Sequence, residues 1–139
     1  MNFIYLFLPL PSFCGDQLHH PDAGVLLRLL LLAPLLEEWI VRAGLQEWMI
    51  RRSLPAGMAV PAAVAGRGGM QMYAVHIVPV LVSALGFSLL HIASGLIAAE
   101  MVFLPGLALA GIYQATRDWR LCALVHCLFN AFALCFCGF

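Results

Sequence analysis

The chain has 139 residues, of which 63% are hydrophobic and 10% are charged, and its formal net charge is zero. A soluble domain usually carries about 25% charged residues, and a water-soluble fold of this length could not bury so much apolar surface. The composition therefore excludes an ordinary soluble protein and predicts one all-α domain over residues 1–139 with the lipid bilayer as its solvent. The seven basic residues are all arginines and form no basic stripe, which excludes nucleic acid as a partner.

Five apolar segments follow one another along the chain and predict a polytopic bundle of transmembrane helices. The segments are residues 3–14, 24–50, 72–99, 101–115 and 119–139. A full span needs about 20 apolar residues, which the second, third and fifth segments provide. The first and fourth are short, and the sequence leaves open whether they cross completely. Residues 53–70, rich in Gly, Ala and Pro, are compatible with either a loop or a re-entrant piece.

The loop charges predict the orientation of the chain. The first segment lacks the basic start of a signal peptide and is interpreted as a retained span. When successive loops are placed on alternate sides of the membrane, five arginines fall on one side and none on the other. The positive-inside rule makes the arginine side cytoplasmic, and this predicts a cytoplasmic N-terminus.

Ionisable residues within apolar segments need an explanation, because each costs about 2.5–3.5 kcal/mol on insertion scales. Glu38 and Arg42 are four residues apart, so they share a helix face and are expected to pair. Glu37 would point about 100° away from Glu38 on an α-helix, toward the bundle interior. His126 and Asn130 likewise share a face.

A depth estimate suggests that four of these side chains can meet. With a rise of about 1.5 Å per residue, Glu37, His91, His126 and Asn130 fall within a slab of about 8 Å near mid-membrane. The membrane depth of His91 follows from its distance to Ala99, the predicted outer end of the third segment. The sequence therefore predicts one site built from three segments.

Three short runs resemble the motifs of a known family. They are EEWIVR at 37–42, FSLLH at 87–91 and HCLFN at 126–130. They resemble the motifs EExxxR, FxxxH and HxxxN of the CAAX prenyl protease 2 and bacteriocin-processing (CPBP) family of intramembrane proteases. All three occur in order on apolar segments, and the resemblance extends over about residues 24–132.

The resemblance implies an intramembrane endopeptidase and assigns a role to each motif position. Glu37 would be the general base that activates water, and His91 would help to hold that water. His126 and Asn130 would stabilise the oxyanion of the tetrahedral intermediate. The motif residues Glu38, Arg42 and Phe87 would support the site, the first two as a brace and the third by packing.

The short chain is also similar to the small proteases paired with C-terminal protein-sorting signals, notably the JDVT-CTERM type. That similarity implies a bacterial inner-membrane enzyme. Its substrate would be a membrane-anchored protein with a C-terminal tag, which comprises a short motif, a transmembrane helix and a basic tail. The cleaved peptide bond would lie near this tag, and the oligomeric state is left open.

Three alternatives stay open. Glu37, His91 and His126 could be the ligands of a zinc version of the protease. The absence of an HExxH run and the oxyanion role of His126 and Asn130 favour a glutamic enzyme without a cofactor. A non-catalytic immunity or accessory protein could retain the same fold. A haem protein with His91 and His126 as axial ligands would leave Glu37 unexplained.

Overall fold

The computed structural model describes residues 22–53 and 69–136, with side chains over 22–53 and 76–135. Regular structure in this part of the chain is entirely helical, in agreement with the predicted all-α fold. The predicted first segment, 3–14, and nearly all of the piece at 53–70 lie outside the described residues. The bundle of five spans therefore stays a prediction.

The first described element is a continuous helical rod over residues 23–53. It contains α1 (Ala23–Leu27), a first π segment (Arg28–Leu32), α2 (Ala33–Glu38), a second π segment (Trp39–Gln46) and α3 (Glu47–Ser53). Asp22 caps its start, and the Asp22 side chain accepts a hydrogen bond of 2.8 Å from the Val25 N–H. This rod corresponds to the predicted second segment.

Pro34 accounts for an open carbonyl in the first π segment. The N–H of Ala33 bonds to the carbonyl of Arg28, five residues earlier. Leu29 would take the next bond of this pattern from Pro34, but proline has no N–H to donate. The Leu29 carbonyl is therefore available to a side chain from another helix.

The boundary predicted between the third and fourth segments is wrong. Helix α4 (Gly69–Leu90) ends just before His91, a short 3₁₀ turn occupies Ile92–Ser94, and α5 (Leu96–Thr116) follows. Gly95 makes the break possible, because its φ of 110° and ψ of 156° lie in a region that only glycine adopts without strain. The predicted third segment joined the end of one helix to the start of the next.

The corrected boundary changes two expectations. The fourth segment, expected to be short, belongs to a helix of 21 residues. Ala99 lies on α5, so it does not mark the outer end of the helix that precedes His91. The depth assigned to His91 therefore has no structural basis, and its place in the site rests on its contacts.

A tight turn connects α5 to the last helix, α6 (Trp119–Phe136). Arg117 adopts the left-handed conformation at φ 58°, and its N–H bonds to the Tyr113 carbonyl at 2.8 Å. The Asp118 side chain accepts a 2.9 Å hydrogen bond from the Arg120 N–H and begins α6. Helix α5 packs along α4, and α6 packs against α2, so the elements that carry the three motifs meet.

Many large apolar side chains are exposed, whereas several charged and polar side chains are buried. Leu96, Ile97 and Leu104 are 69–75% exposed, whereas Arg42 and Glu38 have no exposed surface. This arrangement suits a bundle surrounded by lipid. Among the described helices, one (Leu96–Thr116) is long and apolar enough to cross a membrane, and two shorter apolar helices are His76–Leu90 and Trp119–Cys135.

Candidate active site

An ion pair between Glu38 and Arg42 forms the base of the candidate site. Arg42 Nε donates to Glu38 Oε2 at 2.8 Å, and both side chains are fully buried. The sequence predicted this pair from the four-residue spacing. Because both charges lie away from solvent, removing either partner would leave the other uncompensated, which typically costs about 3–5 kcal/mol.

Arg42 also joins the rod to two other helices. Its Nη1 donates to Ser83 Oγ on α4, and its Nη2 donates to the Gly106 carbonyl on α5 at 3.1 Å. The planar guanidinium presents its donors in a fixed fork. The position of Glu38 is thus set by three elements of the bundle.

Gln46 lies one helical turn after Arg42, as Arg42 lies one turn after Glu38. Its side chain is fully buried, and its Nε2 donates to the Ala110 carbonyl on α5 at 2.9 Å. Sequence reasoning missed Gln46 and Ser83. The spacing offered a signal for both, because Gln46 follows Arg42 by four residues and Ser83 precedes Phe87 by four.

Glu38 has a second partner, His126 on α6. His126 Nδ1 lies 3.1 Å from Glu38 Oε1. A carboxylate can only accept a hydrogen bond, so Nδ1 carries the hydrogen and donates it. This bond keeps Nδ1–H directed at Glu38 and fixes the orientation of the ring, as a carboxylate does for a catalytic histidine. Glu38 therefore orients an imidazole in addition to pairing with Arg42.

The other imidazole nitrogen of His126 lies near Glu37. His126 Nε2 and Glu37 Oε2 are 3.8 Å apart, and the Glu37 side chain is 5% exposed. The distance exceeds that of a hydrogen bond, and two atoms at this separation can both bond one oxygen of water or substrate. Glu37 Oε2 accepts no hydrogen bond from any described residue.

Phe87 lies between the two histidines. Its ring centroid is 5.0 Å from that of His91 and 5.3 Å from that of His126, the latter in an edge-on arrangement. The Arg42 guanidinium carbon lies 5.6 Å from the same ring centroid. Phe87 is 2% exposed, so it packs inside the site against both imidazole rings.

His91 is held at the end of α4. Its Nδ1 lies 3.0 Å from the Phe87 carbonyl, which can only accept, so Nδ1 carries the hydrogen. The Nε2 of the neutral ring is then an acceptor. His91 is 8% exposed and lies beside the Phe87 ring, which also contacts His126.

Asn130 is tied to the first π segment. Its Nδ2 donates to the Leu29 carbonyl at 2.8 Å, the carbonyl that Pro34 leaves open. An amide nitrogen has two hydrogens, so one N–H remains for another acceptor. Sequence reasoning placed Asn130 on the face of His126 but gave no sign of this partner.

Across residues 22–53 and 69–136, no three His, Cys, Asp or Glu side chains form a group that could hold a metal ion. His126 uses Nδ1 on Glu38, and His91 uses Nδ1 on the Phe87 carbonyl. These bonds leave the Nε2 of each ring without a partner among the described residues.

The described helices enclose a buried carboxylate–histidine pair behind an apolar exterior, which defines a membrane-embedded protein with a site suited to activating water. A family model described as type II CAAX prenyl endopeptidase, Rce1-like, matches residues 20–132. The chain therefore belongs to the Rce1-like family of type II CAAX prenyl endopeptidases. Searches of curated proteins and of solved structures gave no match.

Membership agrees with the resemblance drawn from the three sequence motifs. The matched range contains all three of them and covers most of the chain. The family consists of membrane-embedded endopeptidases, so this chain is a protease-family membrane protein.

Proposed function

We propose that this protein is an intramembrane endopeptidase of the glutamic type, in which Glu37 activates the attacking water. One observation carries the proposal. Glu37 presents a buried carboxylate oxygen that accepts no hydrogen bond from the described residues, 3.8 Å from an imidazole nitrogen of His126. A buried acceptor left without a partner costs about 1–3 kcal/mol. A catalytic base that must receive a proton from water gives a reason for that cost.

The first step joins water to the peptide carbonyl. The water donates one hydrogen to Glu37 Oε2 and the other to His91 Nε2, which is an acceptor in the neutral ring. Its oxygen attacks the carbonyl carbon as its proton passes to Glu37. The carbonyl electron pair moves onto oxygen and forms the tetrahedral oxyanion.

His126 and Asn130 stabilise that oxyanion. With Nδ1–H on Glu38, His126 donates through Nε2–H in its imidazolium form, and Asn130 donates its remaining N–H. Donors of this kind each contribute about 10²–10³ in kcat.

The second step breaks the peptide bond. The oxyanion returns its electron pair to re-form the carbonyl, and the C–N bond breaks. The proton held by Glu37 passes to the leaving nitrogen. The products are a carboxylic acid and an amine, and the Glu37 carboxylate is restored.

The proposed substrate is a membrane-anchored protein cut near a C-terminal transmembrane segment, with a sorting tag of the JDVT-CTERM type. Family membership supports cleavage near a C-terminus, and the apolar setting of the site supports a substrate that lies within the membrane. We place the enzyme in a bacterial inner membrane with its N-terminus in the cytoplasm, since five arginines fall on one side of the predicted topology.

The test is co-expression with a tagged substrate, followed by mass spectrometry of the trimmed C-terminus. Glu37→Gln should lower the cleavage rate by about 10²–10⁴-fold, the usual contribution of a general base, with normal expression in the membrane. The matched control is Glu100→Gln, because Glu100 is an exposed glutamate on α5. Unchanged cleavage in Glu37→Gln would refute the role of Glu37 and favour a binding protein on the same fold.

A further inference from the structure

Gly106 lies where α5 packs against α4. A Cβ atom at position 106 would lie 2.9 Å from Phe87 Cδ1 and 3.5 Å from Phe87 Cγ. Real Cβ contacts essentially never fall below 3.0 Å. The backbone carbonyl of Ala84 would lie at 3.6 Å, so the added atom would be in contact with α4 on that side as well.

The Phe87 ring has little space in which to yield. Ordinary carbon contacts lie at about 3.5–4.0 Å, so a Cβ at position 106 would displace the ring by about 0.5 Å or more. The ring is 2% exposed and contacts His91 on one side and His126 on another. A displaced ring therefore presses on His91 and His126, and His126 lies 3.8 Å from Glu37.

The main chain of Gly106 reaches the same site by a second route. Its carbonyl accepts a hydrogen bond of 3.1 Å from Arg42 Nη2. Arg42 in turn holds Glu38, and Glu38 orients His126. Gly106 thus affects the position of His126 in two ways. The absence of a side chain leaves room for the Phe87 ring, and the Gly106 carbonyl holds Arg42, which holds Glu38.

We propose that Gly106 is a positioning residue of the active site, which sets the placement of His91 and His126 through the Phe87 ring. It touches neither substrate nor water. The inference rests on the proposed function, because it assigns the purpose of the close helix contact to the catalytic histidines.

The first experiment compares Gly106→Ala with Gly111→Ala. Gly111 lies on the same helix, and a Cβ there would meet nothing within 4 Å. Gly106→Ala should lower kcat by about tenfold to 100-fold, the effect expected of a sub-ångström to ångström misplacement, with KM changed less than about twofold. Gly111→Ala should retain the parent kcat. Equal kcat values in the two variants would overturn the inference.

A double-mutant cycle tests whether Phe87 transmits the effect. Phe87→Ala removes the ring that the new Cβ would strike. Adding Gly106→Ala to that variant should lower kcat no further, although it lowers kcat in the parent protein. Additive losses would assign the effect of Gly106 to helix packing, and the inference would fail.

A spectroscopic readout applies even where activity is too low to measure. In protein labelled with ¹⁵N-histidine, Gly106→Ala should shift the ring resonances of His91 and His126 and leave those of His76 in place. His76 bonds to Gln114 at 3.1 Å, away from Phe87, and serves as the internal reference. Unshifted His91 and His126 signals would refute the inference.

Glu37→Gln separates the two possible failures. If Glu37→Gln still cleaves substrate, the proposed function fails. If Glu37→Gln is inactive while Gly106→Ala matches Gly111→Ala in kcat and in the histidine spectrum, only the positioning role of Gly106 fails.

Discussion

Replacing Glu38 by glutamine tests the two roles of that residue, which are to neutralise Arg42 and to orient His126. The amide keeps the shape of the carboxylate but leaves the buried guanidinium of Arg42 without a counter-charge. Both side chains are fully buried, so solvent does not screen the loss. Breaking such a pair costs about 3–5 kcal/mol of unfolding free energy, which lowers the ratio of folded to unfolded protein by about 10²–10³·⁵.

The double variant with Glu38→Gln and Arg42→Met tests this explanation. Methionine removes the uncompensated charge, and replacing both partners of a buried pair is often neutral for stability. Stability should therefore return, while activity should not, because His126 still lacks an anionic partner on Nδ1. A loss of orientation of this kind costs about 10⁴ in kcat in a comparable triad.

The assay is equilibrium unfolding in mixed micelles, with cleavage of a tagged substrate measured on the same preparations. An unfolding free energy for Glu38→Gln within about 1 kcal/mol of the parent value, the range of an exposed pair, would refute the assignment of a buried brace. Full recovery of activity in the double variant would refute the orienting role of Glu38.

Two further predictions concern the oxyanion and the metal. Asn130→Ala should lower kcat by about 10²–10³-fold and unfolding free energy by about 1 kcal/mol, since it also loses the bond to the Leu29 carbonyl; a stability loss alone would make Asn130 a helix contact. Purified enzyme treated with a strong chelator should keep its activity and contain no stoichiometric metal by elemental analysis. Activity that is lost with the metal and restored by zinc would contradict the glutamic mechanism.

Spacing along the sequence predicted those parts of the site that depend on one helix alone. Glu38 and Arg42 pair as their spacing indicates. The contact of His126 with Glu38 could not be predicted, because it joins residues 88 positions apart and depends on how α6 packs against α2. Likewise, the partner of Asn130 depends on a carbonyl that Pro34 opens on a distant segment.

The break after His91 escaped prediction for another reason. The prediction put the boundary at Glu100, the one charged residue in the run 85–105, because an apolar pattern alone does not show where one helix ends and the next begins. Gly95 was the signal, but a glycine inside an apolar run is also common in helices that span membranes. The sequence also did not predict the two π segments. The spacing of apolar and polar residues along them resembles that of an ordinary α-helix.

The position of the Glu38–Arg42 pair within one helix has a consequence for biosynthesis. A carboxylate and a guanidinium that meet on the same helix neutralise each other before any other helix is present. The rod can thus enter the bilayer with these two charges already matched, which reduces an insertion penalty that each would otherwise carry alone. Glu37, by contrast, meets His126 only after α6 has been synthesised and has packed against the rod. The Glu37–His126 contact therefore forms later in synthesis than the Glu38–Arg42 pair.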